Sequence, residues 1–309
     1  VATVARTHAL KSRRCVSCRE AIQHIQPKLG QDRLMDLVYP DVLLDELREV
    51  AVTAAMEAAV MAHEGRRAGV VVAGTKTSAT DVVTEMDRRV EALLVDRILT
   101  ARPDDGMLGE EGASHLGSSG VRWVLDPIDG TVNYLYGIAN WAVSVAAQID
   151  GVGVVGVVAA PAMGETYVAV RGRGATRHDQ WGVHDLHVND PVELAQALIS
   201  TGYGYTQERR MAQAGVTTAL LPQVADLRRL GSCSLDLCFV AQGRVDAYFE
   251  RGVHLWDYAA AGLVVTESGG VFAGLNGLGP SEDLVIGAGP HLFDQLHDAL
   301  RDSGADRDD

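Results

Sequence analysis

Two aspartates three residues apart, Asp126 and Asp129, close an apolar run that reads Trp123-Val-Leu-Asp126-Pro127-Ile128-Asp129-Gly130-Thr131. Pro127 fixes its own φ and Gly130 frees the turn, so both carboxylates and an intervening carbonyl can face one spot, while Thr131 can cap a following helix. Carboxylates gathered in this way repel one another unless a cation lies between them. An all-oxygen set selects a hard ion such as Mg²⁺ or Mn²⁺ over zinc. A single Asp-x-x-Asp is more often a turn cap or a solvated pair. Further acids flank it, however: Leu108-Gly109-Glu110-Glu111-Gly112 lies just before the run, and Leu255-Trp256-Asp257-Tyr258 places an acid at the start of an otherwise apolar helix. Taken alone, Glu110 and Glu111 read as a solvated loop and Asp257 as an N-terminal cap.

The elements that must position these groups follow from hydrophobic spacing. From Pro40, Asp41 can cap a helix carrying Val42, Leu43, Leu47, Val50, Ala54 and Ala58 that stops near Gly65. A second helix starts around Thr84, with Asp87 three residues on as a capping box, and runs through Val90, Leu93, Leu94 and Ile98 to Pro103. Val121 to Leu125 is a strand. Between Trp141 and Pro161 two valine-rich runs meet at Asp150-Gly151, the signature of a hairpin. Thr166 to Val170 is a short strand, and Gly172, Gly174 and Gly182 mark loops.

From about Pro191 strands and helices alternate. We expect strands near Leu198, Val224 to Leu227, Val245 to Phe249 and Leu284 to Ile286. Helices fall at Gln207 to Leu221, Ser232 to Gln242, Trp256 to Ser268 and from Pro290. This predicts an α/β half (191–303) packed against an α+β half (40–190) that carries most of the acids. Residues 1–39 hold Arg6, Lys11, Arg13, Arg14, Arg19, Lys28 and Arg33 with little apolar periodicity and read as a basic, mobile tail. Residues 304–309 form a short acidic one.

With 309 residues, 47% of them hydrophobic, and a net charge of −14, the chain is long enough for a substantial core and lacks a basic footprint for nucleic acid or an anionic membrane. A small molecule is the default partner. Four cysteines are too few for a stapled secreted fold, and no apolar stretch reaches the ~20 residues of a membrane span. The first residues lack the apolar stretch of a secretory signal, so the expected compartment is the cytoplasm. Cys15 and Cys18 form a lone CxxC near His8 and His24, without the second ordered ligand pair that a structural zinc site usually brings, so zinc is the minor reading.

Asp87, Gly109-Glu110-Glu111, Asp126-Pro-Ile-Asp129-Gly-Thr131 and Trp256-Asp257 followed by Gly269-Gly270 occur in one order and spacing. By these motifs the chain resembles the inositol monophosphatase family over roughly residues 41 to 303. Lys76 before Thr80-Asp81-Val82-Val83-Thr84, Arg229-Leu-Gly231-Ser232 and Gly243-Arg244-Val-Asp246 extend the resemblance. It implies a layered αβαβα sandwich of the inositol monophosphatase and fructose-1,6-bisphosphatase type, within the α+β or α/β class.

The resemblance also implies a site. Glu110, Asp126 and the Ile128 carbonyl would hold a first Mg²⁺; Asp126, Asp129 and Asp257 would hold a second; a third, weaker ion would sit near Glu110. Water at the first ion would attack phosphorus, with Thr131, Glu110 and Asp87 orienting it and taking its proton. Asp129, Gly130, Thr131, Gly231, Ser232, Cys233 and Glu250 would contact the substrate, and Lys76 could close over the metals as part of a lid or be a surface lysine. Ser232 and Cys233 stand where threonine and alanine are common in the family, which puts the pocket's selectivity in question. Lithium sensitivity and a homodimer are further implications.

The implied substrate is a myo-inositol monophosphate, with Asn133-Tyr134 pointing to that subgroup. Histidinol phosphate and fructose 1,6-bisphosphate phosphatases share the metal set. A reading of another class is a protein that binds RNA or a transcription complex, using the basic tail. Cys233 and Cys238 read as core packing rather than nucleophiles. His178, His184 and His187 read as surface histidines in a loop without acidic partners at ligand spacing.

Overall fold

The computed structural model describes residues 39–70, 72–75, 82–305 and 307. The basic stretch before Tyr39, with Cys15 and Cys18, lies outside them, as do Lys76, Thr80, Asp81 and residues 306, 308 and 309.

Helix α1 (Asp41–Ala68) buries Leu44, Leu47, Ala51, Ala54, Ala55, Ala58 and Ala62, a stripe at spacings of three and four. It runs past Gly65 and ends at Gly69, whose φ of 110° no helix can continue. Pro40, not Asp41, is the N-cap. Asp41 sits in the first turn, and its carboxylate lies 2.6 Å from Arg173. A small antiparallel pair, β1 (Val72–Thr75) and β2 (Val82–Thr84), leads into α2 (Glu85–Ala101). Here Thr84 is the N-cap and forms the expected capping box with Asp87.

The larger sheet has eight strands: β3 (Gly106–Gly109), β4 (Ser114–His115), β5 (Val121–Asp129), β6 (Ala142–Ile149), β7 (Val152–Ala160), β8 (Glu165–Val170), β9 (Ala175–Asp179) and β10 (Gly182–Asp185). Their spatial order is β10-β9-β8-β7-β6-β5-β3-β4, antiparallel except where β3 runs parallel to β5. Asp150 and Gly151, both at positive φ, make the β6–β7 turn that the sequence marked.

The short helix α3 (Thr131–Tyr136) follows β5. The smaller sheet has the order β12-β11-β13-β15-β14. Its strands are β11 (Leu198–Thr201), β12 (Asp226–Arg228), β13 (Ala247–Glu250), β14 (Val271–Ala273) and β15 (Val285–Ala288). Between them run α4 (Gln207–Leu220), α5 (Cys233–Ala241) and α6 (Leu255–Glu267), and the last helix α7 (Pro290–Asp302) follows β15.

Alternation along the strands divides the core. Trp123, Leu125, Val145 and Ala147 pack with α1 and α2 on one face of the large sheet. Val124, Ala146 and Val158 face α5 and α6 on the other. The small sheet covers those helices and packs its far side, with Ile199, Phe249 and Ile286, against α4 and α7. The result is the αβαβα sandwich expected from the resemblance.

Several short strands escape sequence reading. β1 to β4, β9, β10 and β14 have two to five residues each, too few for a periodic signal. Gly182 opens β10 rather than a loop, and His178 and His184 lie on paired strands. His184 also has an acidic neighbour, with its Nε2 3.2 Å from Asp179 Oδ1 across the hairpin, so the loop expected for His178 and His184 is in fact a paired hairpin. Trp181, at the hairpin tip, is exposed.

Candidate active site

The strand expected to stop at Leu125 continues as β5 through Asp129, and its pairing with β6 shifts register between Asp126 and Asp129. That irregularity lets the two carboxylates converge instead of falling on opposite faces of a regular pleat. Asp257, in the first turn of α6, completes the group. One oxygen from each of Asp126, Asp129 and Asp257 lies within 4.8 Å of the others.

Protein donors already hold each of these carboxylates. Asp126 Oδ1 accepts the Ile128 amide at 3.0 Å, and Asp257 Oδ2 accepts the His254 amide at 2.6 Å. Asp129 Oδ2 takes the Ser232 hydroxyl at 2.6 Å, the Ser234 hydroxyl at 2.5 Å and the Ser234 amide at 2.7 Å. Capping and convergence therefore occur together at Asp257, which accepts the His254 amide and also offers an oxygen within 4.8 Å of those of Asp126 and Asp129.

Electrostatics make the nest costly on its own. Burial pushes Asp126 well above the usual carboxylate range, and the charges of Glu110, Asp129 and Asp257 push it further. Burial does the same to Asp257, reinforced by Glu110 and Asp129. Asp129 is raised less, because the Ser232 and Ser234 donors offset its burial. An all-oxygen set with mutual repulsion, in which Asp126 and Asp129 are buried and Asp257 is half-buried, fits a hard divalent cation, which would replace the lost hydration and cancel the repulsion.

Glu110 sits half-buried just after β3, its amide donating to the Leu125 carbonyl at 3.2 Å, which places it beside Asp126. Thr131 Oγ1 lies 3.1 Å from the Ile128 carbonyl and 3.3 Å from Asp87 Oδ1. Asp87 is fully buried, and its other oxygen accepts from the Thr84 amide at 2.8 Å and from the Thr84 hydroxyl. The helix cap thereby aims Asp87 at Thr131. Gly130 has φ of 90°, and a Cβ there would stand 3.0 Å from the Asn140 carbonyl oxygen and 3.1 Å from that of Gly231, so the two glycine turns pack backbone to backbone.

The smaller sheet and α5 bring Gly231, Ser232, Cys233 and Glu250 to the same region. Cys233 is buried, and its thiol is pushed up by burial and by Asp129, Asp257 and Glu250, which suits packing rather than nucleophilic attack. Glu250, at the end of β13, accepts the Tyr248 hydroxyl at 2.5 Å. Burial raises its carboxyl to about 7, against the lowering effects of Tyr248 and Arg229.

Two supporting residues escape sequence reading. Buried Glu91 on α2 accepts the amides of Glu111 at 2.8 Å and Ala113 at 2.9 Å, bracing the loop that carries Glu110. Ser234 binds Asp129 from 105 positions away. Glu91 does lie on the buried face of its helix, the one signal available; Ser234 offers none, since its partner is distant in the chain.

The model of the inositol monophosphatase family matches residues 43–305. Inositol-1-monophosphatase of Mycobacterium leprae is 42% identical over 281 residues, covering 86% of this chain and 97% of that protein. Nus factor SuhB of Pasteurella multocida is 38% identical over 236 residues, covering 76% and 87%. Among solved structures, Mycobacterium tuberculosis SuhB aligns with a TM-score of 0.74 at 41% identity, covering 85% of this chain and 98% of that one. These matches define an enzyme of the phosphatase class. The chain belongs to the inositol monophosphatase family. Among the described residues, no helix is long and apolar enough to cross a membrane.

Proposed function

We propose that the chain is a Mg²⁺-dependent phosphomonoesterase that releases phosphate from myo-inositol monophosphate. The observation that carries this reading is the convergence of Asp126, Asp129 and Asp257 in one nest whose burial and repulsion call for cations. Glu110, Asp126 and the Ile128 carbonyl would hold one ion, and Asp126, Asp129 and Asp257 another, with Mn²⁺ as an alternative metal. Such ions, when bound, polarise phosphoryl oxygens and lower the pKa of water.

The remaining work falls to the chain's own residues. Asp87, pinned by Thr84, orients the Thr131 hydroxyl, whose lone pairs can accept from the attacking water; Glu110 stands as the carboxylate that takes the proton. Gly130, Gly231, Ser232 and Cys233 shape the wall against which the ester rests. Glu250 and Asp129 accept hydrogen bonds from substrate hydroxyls. Lys76 is the proposed lid residue. Homodimerisation, lithium inhibition and a cytoplasmic location belong to the same reading.

Phosphate release from inositol 1-phosphate, histidinol phosphate, fructose 1,6-bisphosphate and 3′-phosphoadenosine phosphate, each with Mg²⁺ and with chelator, tests it. Magnesium-dependent preference for the inositol ester supports the whole reading. Turnover of another ester instead would keep the chemistry and correct the substrate. A second reading, binding within a transcription complex, is favoured by the name Nus factor carried by a relative 38% identical. Asp129→Asn separates the two, since hydrolysis should vanish in that variant while partner binding persists.

A further inference from the structure

Ser234 is the second residue of α5 and is fully buried. Its hydroxyl lies 2.5 Å from Asp129 Oδ2, its amide 2.7 Å from the same oxygen, and the Ser232 hydroxyl 2.6 Å from it. The two hydroxyls are not equivalent. Ser232 Oγ is the helix N-cap and accepts the Leu235 amide at 3.4 Å, so it would be needed for α5 whatever Asp129 did. Ser234 Oγ caps nothing, and Asp129 is its one hydrogen-bond partner among the described residues. A buried serine in a helix is a poorer helix former than alanine and must satisfy its hydroxyl, so this side chain is explained by its acceptor.

Three donors on a single carboxylate oxygen leave it little capacity for anything else, and they fix the rotation of the group. Oδ1 is then the oxygen with more capacity left for a cation. Resting on the metal-dependent reading above, we propose that Ser234 is a positioning residue for divalent-metal binding: its hydroxyl locks Oδ2 of Asp129 so that Oδ1 is preset toward the cation. α5 thereby transmits the geometry of the substrate-contacting half to a ligand carried by the other half.

The test is isothermal titration of Mg²⁺ into the full chain as wild type, Ser234→Ala, Ser234→Cys and Asp129→Asn, with thermal melting of each in chelator. Outer-layer partners of metal ligands typically change affinity by about 10- to 100-fold. Since two donors remain on Oδ2, Ser234→Ala should raise the Mg²⁺ Kd by about tenfold, the low end of that range. Turnover at saturating Mg²⁺ should fall by a smaller factor. Ser234→Cys, close in shape but a weaker donor, should fall between. Alanine is smaller and favours helix, so the variant retains the fold.

An unchanged or tighter Kd in Ser234→Ala, with Asp129→Asn defective, overturns the positioning role and leaves the metal reading standing. A lower melting temperature in chelator without a change in Kd likewise overturns it, since that is what a purely structural serine would give. Unaltered Mg²⁺ binding in Asp129→Asn overturns the metal reading itself.

Discussion

Gly156 on β7 lies directly beneath Ala260 on α6: a Cβ at Gly156 would stand 2.5 Å from the Ala260 carbonyl oxygen and 3.0 Å from its Cα. Backbone meets backbone there because no side chain intervenes. Ala260 is one helical turn beyond Asp257, so this close approach sets how near α6 presses its acid to Asp126 and Asp129 on the sheet.

Gly156→Ala should therefore push α6 outward. The cost of inserting a methyl against backbone is about 1–3 kcal/mol, seen as a lower melting temperature. Mg²⁺ activation should weaken as Asp257 withdraws. A variant with wild-type stability and metal dependence would show that the contact does not govern the nest.

Stability without metal should depend on pH with a definite sign. Asp126, Asp129 and Asp257 are all raised in the folded chain, so the unfolded chain ionises them more readily. Their contribution is most favourable below the ordinary carboxylate pKa and is lost as pH rises through the raised folded values. The melting temperature gained on adding Mg²⁺ should then grow as pH rises from the ordinary carboxylate range through the raised folded values, because protons compete with the cation at low pH. A gain that is flat across this range would refute the account.

Glu250 predicts a pH profile for substrate binding. With its carboxyl raised to about 7, it is protonated below that pH, and in the proposed pocket it would become a full acceptor for substrate hydroxyls above it. KM for the inositol ester should fall as pH passes upward through 7. The ester phosphate itself titrates near pH 6, so the control is Glu250→Gln, in which the inflection near 7 disappears while any phosphate inflection stays. Identical profiles for the two proteins would remove Glu250 from the pocket.

Glu91 should matter although it is a turn of helix away from Asp87 and outside every motif. Glu91→Ala leaves the amides of Glu111 and Ala113 without their buried acceptor, costing about 1–3 kcal/mol for each one left unsatisfied. We expect a lower melting temperature together with a higher Mg²⁺ requirement, because Glu110 rides on the same loop. Loss of stability with unchanged Mg²⁺ activation would assign Glu91 to folding alone.

Local chemistry wrote much of this protein plainly. The capping box of Thr84 and Asp87, the Asp150-Gly151 hairpin, the long buried face of α1 and the convergence implied by Pro127 and Gly130 all depend on neighbours a few positions apart, where steric and hydrogen-bond rules act directly. β1 to β4, β9, β10 and β14 were not legible, since strands this short take their identity from pairing rather than from a periodic pattern. The same holds at the site. Sequence pattern offered Asp257 as either a cap or a ligand, and in the structure it accepts the His254 amide while still offering an oxygen within 4.8 Å of those of Asp126 and Asp129. Ser234 against Asp129 and Gly156 against Ala260 appear only when helices pack onto sheets. Hydrophobic burial sets that packing without direction or local code, and so the distances among the carboxylates are a property of the assembled layers rather than of any one segment.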